Sequence, residues 1–160
     1  MRTFQAFSTT ESTQLPPAHK SNSTTAYSQP EDFLEIEVCS PVTHLADNRD
    51  SSMYTDYEVV TKTNLPSFSR RISRIRRRYS DFELFRKLLL KELELSDGPI
   101  SKVTIPSLPG KILLNNRFNA DVIEERRRGL DKWLKNVAGH PLLQLGSRVL
   151  VRFIEKDHFS

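Results

Sequence analysis

Six arginines crowd into nine residues at Arg70, Arg71, Arg74, Arg76, Arg77 and Arg78. Like charges set side by side destabilise a sheet, and each guanidinium is a planar fork that matches phosphate oxygens. A run this dense is more than a solvated strand face, and it points to an anionic ligand. A second basic cluster, Arg126-Arg127-Arg128, lies between Glu125 and Gly129. At 100° per residue, Ile123, Leu130, Leu134 and Val137 form one apolar stripe, and Arg126 falls inside it, about 40° from Leu130. Arg127 sits at the edge and Arg128 opposite. An arginine on a core-facing stripe must pair or snorkel. Two readings follow for Arg126: a salt bridge to an internal carboxylate, or a charge held inward to meet a ligand. Lys111 follows Leu108-Pro109-Gly110, with Ile112, Leu113, Leu114 and Phe118 beside it. Apolar side chains on a basic loop suggest insertion into a bilayer; the alternative is that they cover the core.

These residues need elements to position them. Residues 1–30 are rich in Ser, Thr, Gln and Pro, too poor in aliphatics to offset ordering entropy, and are expected to be a disordered tail. Phe4 and Phe7 stand out within it as a possible docking motif for a partner. Order begins near Phe33, and residues 31–160 are read as one domain. Phe33 to Val38 alternates apolar and acidic as a half-buried strand. Ser40 to Ser52 reads as turn-rich. Met53 to Lys62 is a second strand. Ile72 to Tyr79 is a third, and its two isoleucines face opposite sides unless a bulge intervenes.

The period then changes. Ser80 and Glu83 match a capping box, and Phe82, Phe85, Leu89 and Leu93 follow at helical spacing, predicting a helix from Asp81 to about Leu95. Residues 99–118, with three prolines, form a long extended connection. A second helix spans about Asn119 to Val137. After a short turn, Ser147 to Lys156 forms a last element whose propensities fit helix or strand. Three strands followed by helices make an α+β plan.

Composition excludes much else. The single Cys39 permits no internal disulfide or thiolate metal cluster. Residues 1–30 lack the apolar core of a signal peptide, and no stretch approaches the ~18 apolar residues of a membrane span. The chain is expected to be cytoplasmic or peripheral. His19, His44, His140 and His158 are scattered, without the spacing of a zinc site, and no phosphate-binding loop, nucleophile elbow or dinucleotide fingerprint occurs. No catalysis, metal or cofactor is expected. The rival binding reading for the arginines is nucleic acid, although no recognition helix or stacking motif supports it.

Together these residues resemble the PX (phox-homology) domain from about Phe33 to Phe159. Arg76-Arg77-Arg78-Tyr79-Ser80-Asp81-Phe82 is similar to that family's strand-end signature. Ile105 to Lys111 is similar to its proline-rich loop, and Glu124 to Leu130 to its arginine-bearing helix. Three motifs in the right order make the match specific. The resemblance implies a three-stranded antiparallel sheet packed on a helical subdomain with a proline-rich loop, and a helical last segment. It also implies a ligand, phosphatidylinositol 3-phosphate. Arg78 would hold the 3-phosphate, Tyr79 would pack on the inositol, Lys111 would contact the phosphate joining ring to glycerol, and Arg126 would bind ring hydroxyls.

Within the family, Asn64-Leu65-Pro66, Val122 to Arg127 and Val137 to Leu142 resemble the short sorting nexins of the sorting nexin-3 type, which lack BAR helices. The run Arg148 to Glu155 is most similar to fungal members. That subgroup implies a monomer, peripheral on endosomal membranes and at the Golgi or prevacuolar compartment. It would act with the retromer coat in retrieving cargo membrane proteins. Ser80 raises a regulatory expectation, since a phosphate on a serine beside the pocket would repel an anionic headgroup.

Overall fold

The computed structural model describes residues 31–45, 53–110 and 118–160. The unit from Asp32 to Ser160 contains all the described elements. Three antiparallel strands, β1 (Leu34–His44), β2 (Tyr54–Thr63) and β3 (Ile72–Arg78), pair in the order β1-β2-β3. Four α-helices follow: α1 (Tyr79–Leu95), α2 (Ala120–Ala138), α3 (Pro141–Gly146) and α4 (Arg148–Glu155). The architecture is the expected α+β sheet with a helical subdomain, and the last segment is the helix that propensity left open. No helix among the described residues is long and apolar enough to cross a membrane.

Strand alternation sets the core. Ile36 and Val38, Tyr57 and Val59, and Ile75 all point inward, onto Phe82, Phe85 and Leu89 of α1, Leu130 and Trp133 of α2, and Phe153 and Ile154 of α4. Phe85 stacks on Phe153 at 4.1 Å. The two isoleucines of β3 do part, Ile72 outward at 58 % exposure and Ile75 inward at 5 %. No bulge intervenes there, because β3 runs in unbroken register against β2.

The irregularity lies on β1 instead. The turn-rich stretch expected from Ser40 to Ser52 does not begin at Ser40: β1 continues to His44 by shifting register between Cys39 and Val42, and residues 46–52 lie outside the described residues. Ser40 takes a positive φ of 49° there, the local cost of inserting extra backbone into a pair. The connection from residue 99 begins with a 3₁₀ turn, Pro99–Lys102, and the turn expected after Pro141 is the short α3.

The helix start also differs from expectation. α1 begins at Tyr79, and its cap is Arg78, whose backbone N–H donates to Asp81 Oδ2 at 2.7 Å. Ser80 therefore lies inside the first turn and caps nothing. A serine–glutamate pair three apart also fits a position two residues into a helix when aspartate supplies the reciprocal bond.

β1 is an edge strand, and α2 covers its middle. Asp131 Oδ1 accepts from the Val38 N–H at 2.8 Å, and Arg127 Nη1 donates to the Val38 carbonyl at 2.9 Å. Both outward groups of that residue are satisfied, which closes the edge to foreign strands and fixes α2 against the sheet. Arg127 is itself held by Glu124.

Candidate functional site

The end of β3, the first turn of α1 and the second turn of α2 converge on a cleft of about 220 Å³. Arg78, Tyr79, Ser80 and Arg126 line it together with Tyr54, Tyr57 and Phe118. Among the described residues its charged lining is Arg78 and Arg126. Arg78 is solvent-exposed, and its guanidinium lies 3.5 Å above the Tyr54 ring.

Arg126 is half-buried. Its guanidinium sits 3.6 Å from the Tyr79 ring centroid, and Nη2 donates to the Gly110 carbonyl at 3.0 Å. The Nε–H is buried and has no hydrogen-bond acceptor among the described residues. Burial pulls the Arg126 pKa down, and the neighbouring Tyr79, Tyr57 and Glu83 act against that shift. Burial in turn pushes the Tyr57 and Tyr79 hydroxyls up, with Arg126 opposing the rise in each. A cation held in low dielectric beside an unmet donor is an arrangement that an anionic or hydroxyl-bearing ligand would complete.

Side chains hold the proline-rich loop in place. Tyr79 donates its hydroxyl to the Pro109 carbonyl. Trp133 Nε1 and Arg86 Nε both donate to Pro106 O at 2.9 Å. Gly129 of α2 faces this loop, and a Cβ there would come within 2.8 Å of Pro109 Cγ. Glycine at that position is a condition of loop–helix contact. A larger groove of about 540 Å³ lies between α1 and the loop. Its described lining mixes Arg86, Lys87 and Lys91 with Glu83 and Glu94, and Arg86 is taken up by the Ile105 and Pro106 carbonyls.

The arginine run divides sharply, which revises the reading that it serves one ligand. Arg77 is 1 % exposed, donates to the carbonyls of Phe153, Lys156 and Asp157, and lies over the rings of Phe153 and Phe159. Burial lowers its pKa, and Asp81 and Asp157 oppose this. Arg76 pairs with Asp56 at 2.8 Å and reaches the Ser40 carbonyl. Arg74 pairs with Glu58 at 3.6 Å. Arg78 is the member of the run that lines the cleft. Lys111, Ile112, Leu113 and Leu114, and the tail residues Phe4 and Phe7, lie outside the described residues.

Sequence reasoning missed Tyr54 and Tyr57 as walls of the cleft. Both sit on β2 opposite the arginine run, Tyr57 pairing with Arg77. The signal was the aromatic content of that strand, but Tyr54 lies beyond the last β2–β3 pair, Asp56–Arg78, and only the folded contact shows its ring under Arg78.

Comparison with known proteins places the fold. The PX domain family profile matches residues 65–157. The chain is 62 % identical to sorting nexin-3 of Kluyveromyces lactis over 99 % of its own length and 97 % of that protein. It is 56 % identical to sorting nexin-3 of Saccharomyces cerevisiae over 99 % and 98 %. An X-ray structure of a designed CISK-PX domain superposes with a TM-score of 0.56 at 21 % identity, covering 75 % of this chain and 97 % of that one, a likeness of fold. With the cleft, the pinned proline loop and these matches in agreement, the chain belongs to the PX-domain sorting nexins.

Proposed function

We propose that this chain reads phosphatidylinositol 3-phosphate on endosomal membranes and acts there in retromer-dependent retrieval of membrane proteins to the Golgi. As a PX-domain protein it carries a phosphoinositide-binding module, and the finer identity of the lipid rests on the cleft. The observation that carries it is the convergence of Arg78 and Arg126 on one cavity, with a buried Arg126 Nε–H that has no acceptor among the described residues. A phosphate monoester carries about −1.5 to −2 near neutral pH; the Arg78 fork fits its oxygens, and Arg126 adds a second positive charge to the same cleft.

In this reading Arg78 forks onto the 3-phosphate, Arg126 meets ring hydroxyls, Tyr79 packs against the inositol, and Lys111 takes the glycerol-linked phosphate. Residues 31–160 form the lipid-reading domain, and residues 1–30, with Phe4 and Phe7, are a tail that meets retromer. The basic surface is first drawn to anionic lipid at about 1 kcal/mol per basic residue near the membrane. Ile112, Leu113 and Leu114 then insert and slow release. One weak anchor binds only reversibly, so retromer or cargo supplies a second contact. Ser80, exposed in the cleft wall, would repel the headgroup if phosphorylated.

Arg77 is buried on carbonyls and Arg76 is paired with Asp56, so the run does not act as one unit; a nucleic-acid reader would show no headgroup preference and a steep salt dependence. Vesicle co-sedimentation across all phosphoinositide headgroups tests the assignment. Wild-type protein should prefer the 3-phosphate lipid, and Arg78→Ala should lose that preference while staying folded. Equal binding to every headgroup, or an unaltered Arg78→Ala, would reject it.

A further inference from the structure

Arg78 is exposed, on a long side chain, at a strand end. Such a guanidinium ordinarily samples many rotamers, and ordering it on a ligand is costly. Here the structure gives it a resting place, and the support can be traced outward. The Arg78 guanidinium carbon sits over the Tyr54 ring, 3.5 Å from its centroid. The opening residue of β2 thus supplies the surface on which the last residue of β3 rests. The Tyr54 ring stacks on His44 at 4.7 Å and 25°, and the two residues are direct partners in the β1–β2 register. His44 Nε2 lies 2.9 Å from Asp56 Oδ1. The same oxygen accepts from Arg76 Nε at 2.8 Å. The His44 approach lacks hydrogen-bond geometry; what Asp56 captures is the neighbouring arginine, keeping Arg76 out of the cleft.

We infer that Tyr54 is a positioning residue for headgroup recognition: its ring, stacked on His44 across the β1–β2 ladder, presents Arg78 to the cleft in a ligand-ready orientation. This rests on the lipid-reading assignment above and adds a determinant to it. The electrostatics agree, since a guanidinium is attracted to the negative face of an aromatic ring. A guanidinium lying on a ring also keeps its in-plane N–H fork free, the geometry a phosphate monoester takes. The strand pairing makes the arrangement rigid, because Tyr54, His44 and Asp56 all sit within one antiparallel ladder.

The test titrates the full chain with inositol 1,3-bisphosphate, the soluble headgroup of the proposed lipid, by calorimetry, with inorganic phosphate as a control ligand. Tyr54→Ala and Tyr54→Leu, which keeps apolar bulk without a ring face, should each weaken headgroup binding about 10-fold. Tyr54→Phe should recover most of that loss. Because no charge changes, binding of Tyr54→Leu to phosphatidylserine vesicles should match wild type. Arg78→Ala is the reference for the assignment itself. If Arg78→Ala loses the headgroup while Tyr54→Leu keeps wild-type affinity, the positioning role is overturned and the lipid assignment stands. If Tyr54→Phe binds as weakly as Tyr54→Leu, the ring face is not the determinant and the inference also falls. If Arg78→Ala binds like wild type, or inorganic phosphate binds as tightly as the headgroup, the lipid assignment fails first.

Discussion

Arg77 and Arg78 are neighbours of identical chemistry whose loss should have opposite consequences. Consider Arg77→Met, which keeps much of the volume and removes the guanidinium. In the native domain that group is 1 % exposed and supplies donors to the carbonyls of Phe153, Lys156 and Asp157. The Phe153 carbonyl receives two of those bonds, from Nε at 3.1 Å and Nη2 at 2.8 Å, in buried surroundings. Stranding a buried acceptor costs about 1–3 kcal/mol; the other two carbonyls are partly open to water and should cost less. The cation–ring contacts to Phe153 and Phe159 add about 1 kcal/mol. Their sum is about 3–5 kcal/mol, within the range for breaking a buried charged network. For a domain of this size it corresponds to a melting temperature lower by roughly 10–15 °C. Thermal and urea unfolding followed by circular dichroism would read it. Arg78→Ala, whose side chain is exposed, should unfold within about 0.5 kcal/mol of wild type yet lose the headgroup, while Arg77→Met retains headgroup binding well below its own melting point. Should Arg77→Met prove as stable as wild type, the division of the run into anchor and ligand arginines is wrong.

Other expectations are shorter. Arg126→Lys preserves charge but cannot both stack on Tyr79 and reach Gly110; headgroup affinity in calorimetry should fall at least about 10-fold with little change in stability. Gly129→Ala places a Cβ against Pro109 Cγ; overpacking of about 1–3 kcal/mol should outweigh the helix-propensity gain of about 1 kcal/mol, and the displaced loop should weaken lipid binding in vesicle co-sedimentation. The Tyr57 and Tyr79 hydroxyls should ionise above the ordinary phenol range, because burial raises both. Since the neutral form is the one favoured by folding, that stability is intact below the unfolded phenol pKa and is lost as pH climbs through the folded one. Spectrophotometric titration of the phenols checks this, and Arg126→Ala should raise both values further by removing the opposing charge.

The parts of the fold written in local pattern were legible. The 3.6-residue spacing of Phe82, Phe85, Leu89 and Leu93 marks α1, and all four are buried in it. The stripe arithmetic that singled out Arg126 identified a half-buried arginine whose ring and carbonyl contacts no local signal foretold. What failed was whatever depends on a partner across space. The continuation of β1 past Ser40 needs β2 alongside it and a residue at positive φ. The Ser80 cap lost to Asp81 because both patterns coexist one residue apart, and β3, paired through Arg78, decides where the helix starts. The division of the arginines could not be read either, since Asp56, Glu58 and the α4 carbonyls that claim three of them come from other elements.

The triplet Arg76-Arg77-Arg78 is blind to its own alignment, because sliding β3 by one residue would still put an arginine at either end of the buried–exposed pair. What tells the strand where to stop is Ile75, the single aliphatic on an inward row that otherwise holds Ser73 and Arg77. A slip would drive Arg74 or Arg76 into its dry slot opposite Val59 and strip Asp56 or Glu58 of its cation. One isoleucine methyl row thus acts as the alignment key for a stretch whose charged letters are interchangeable.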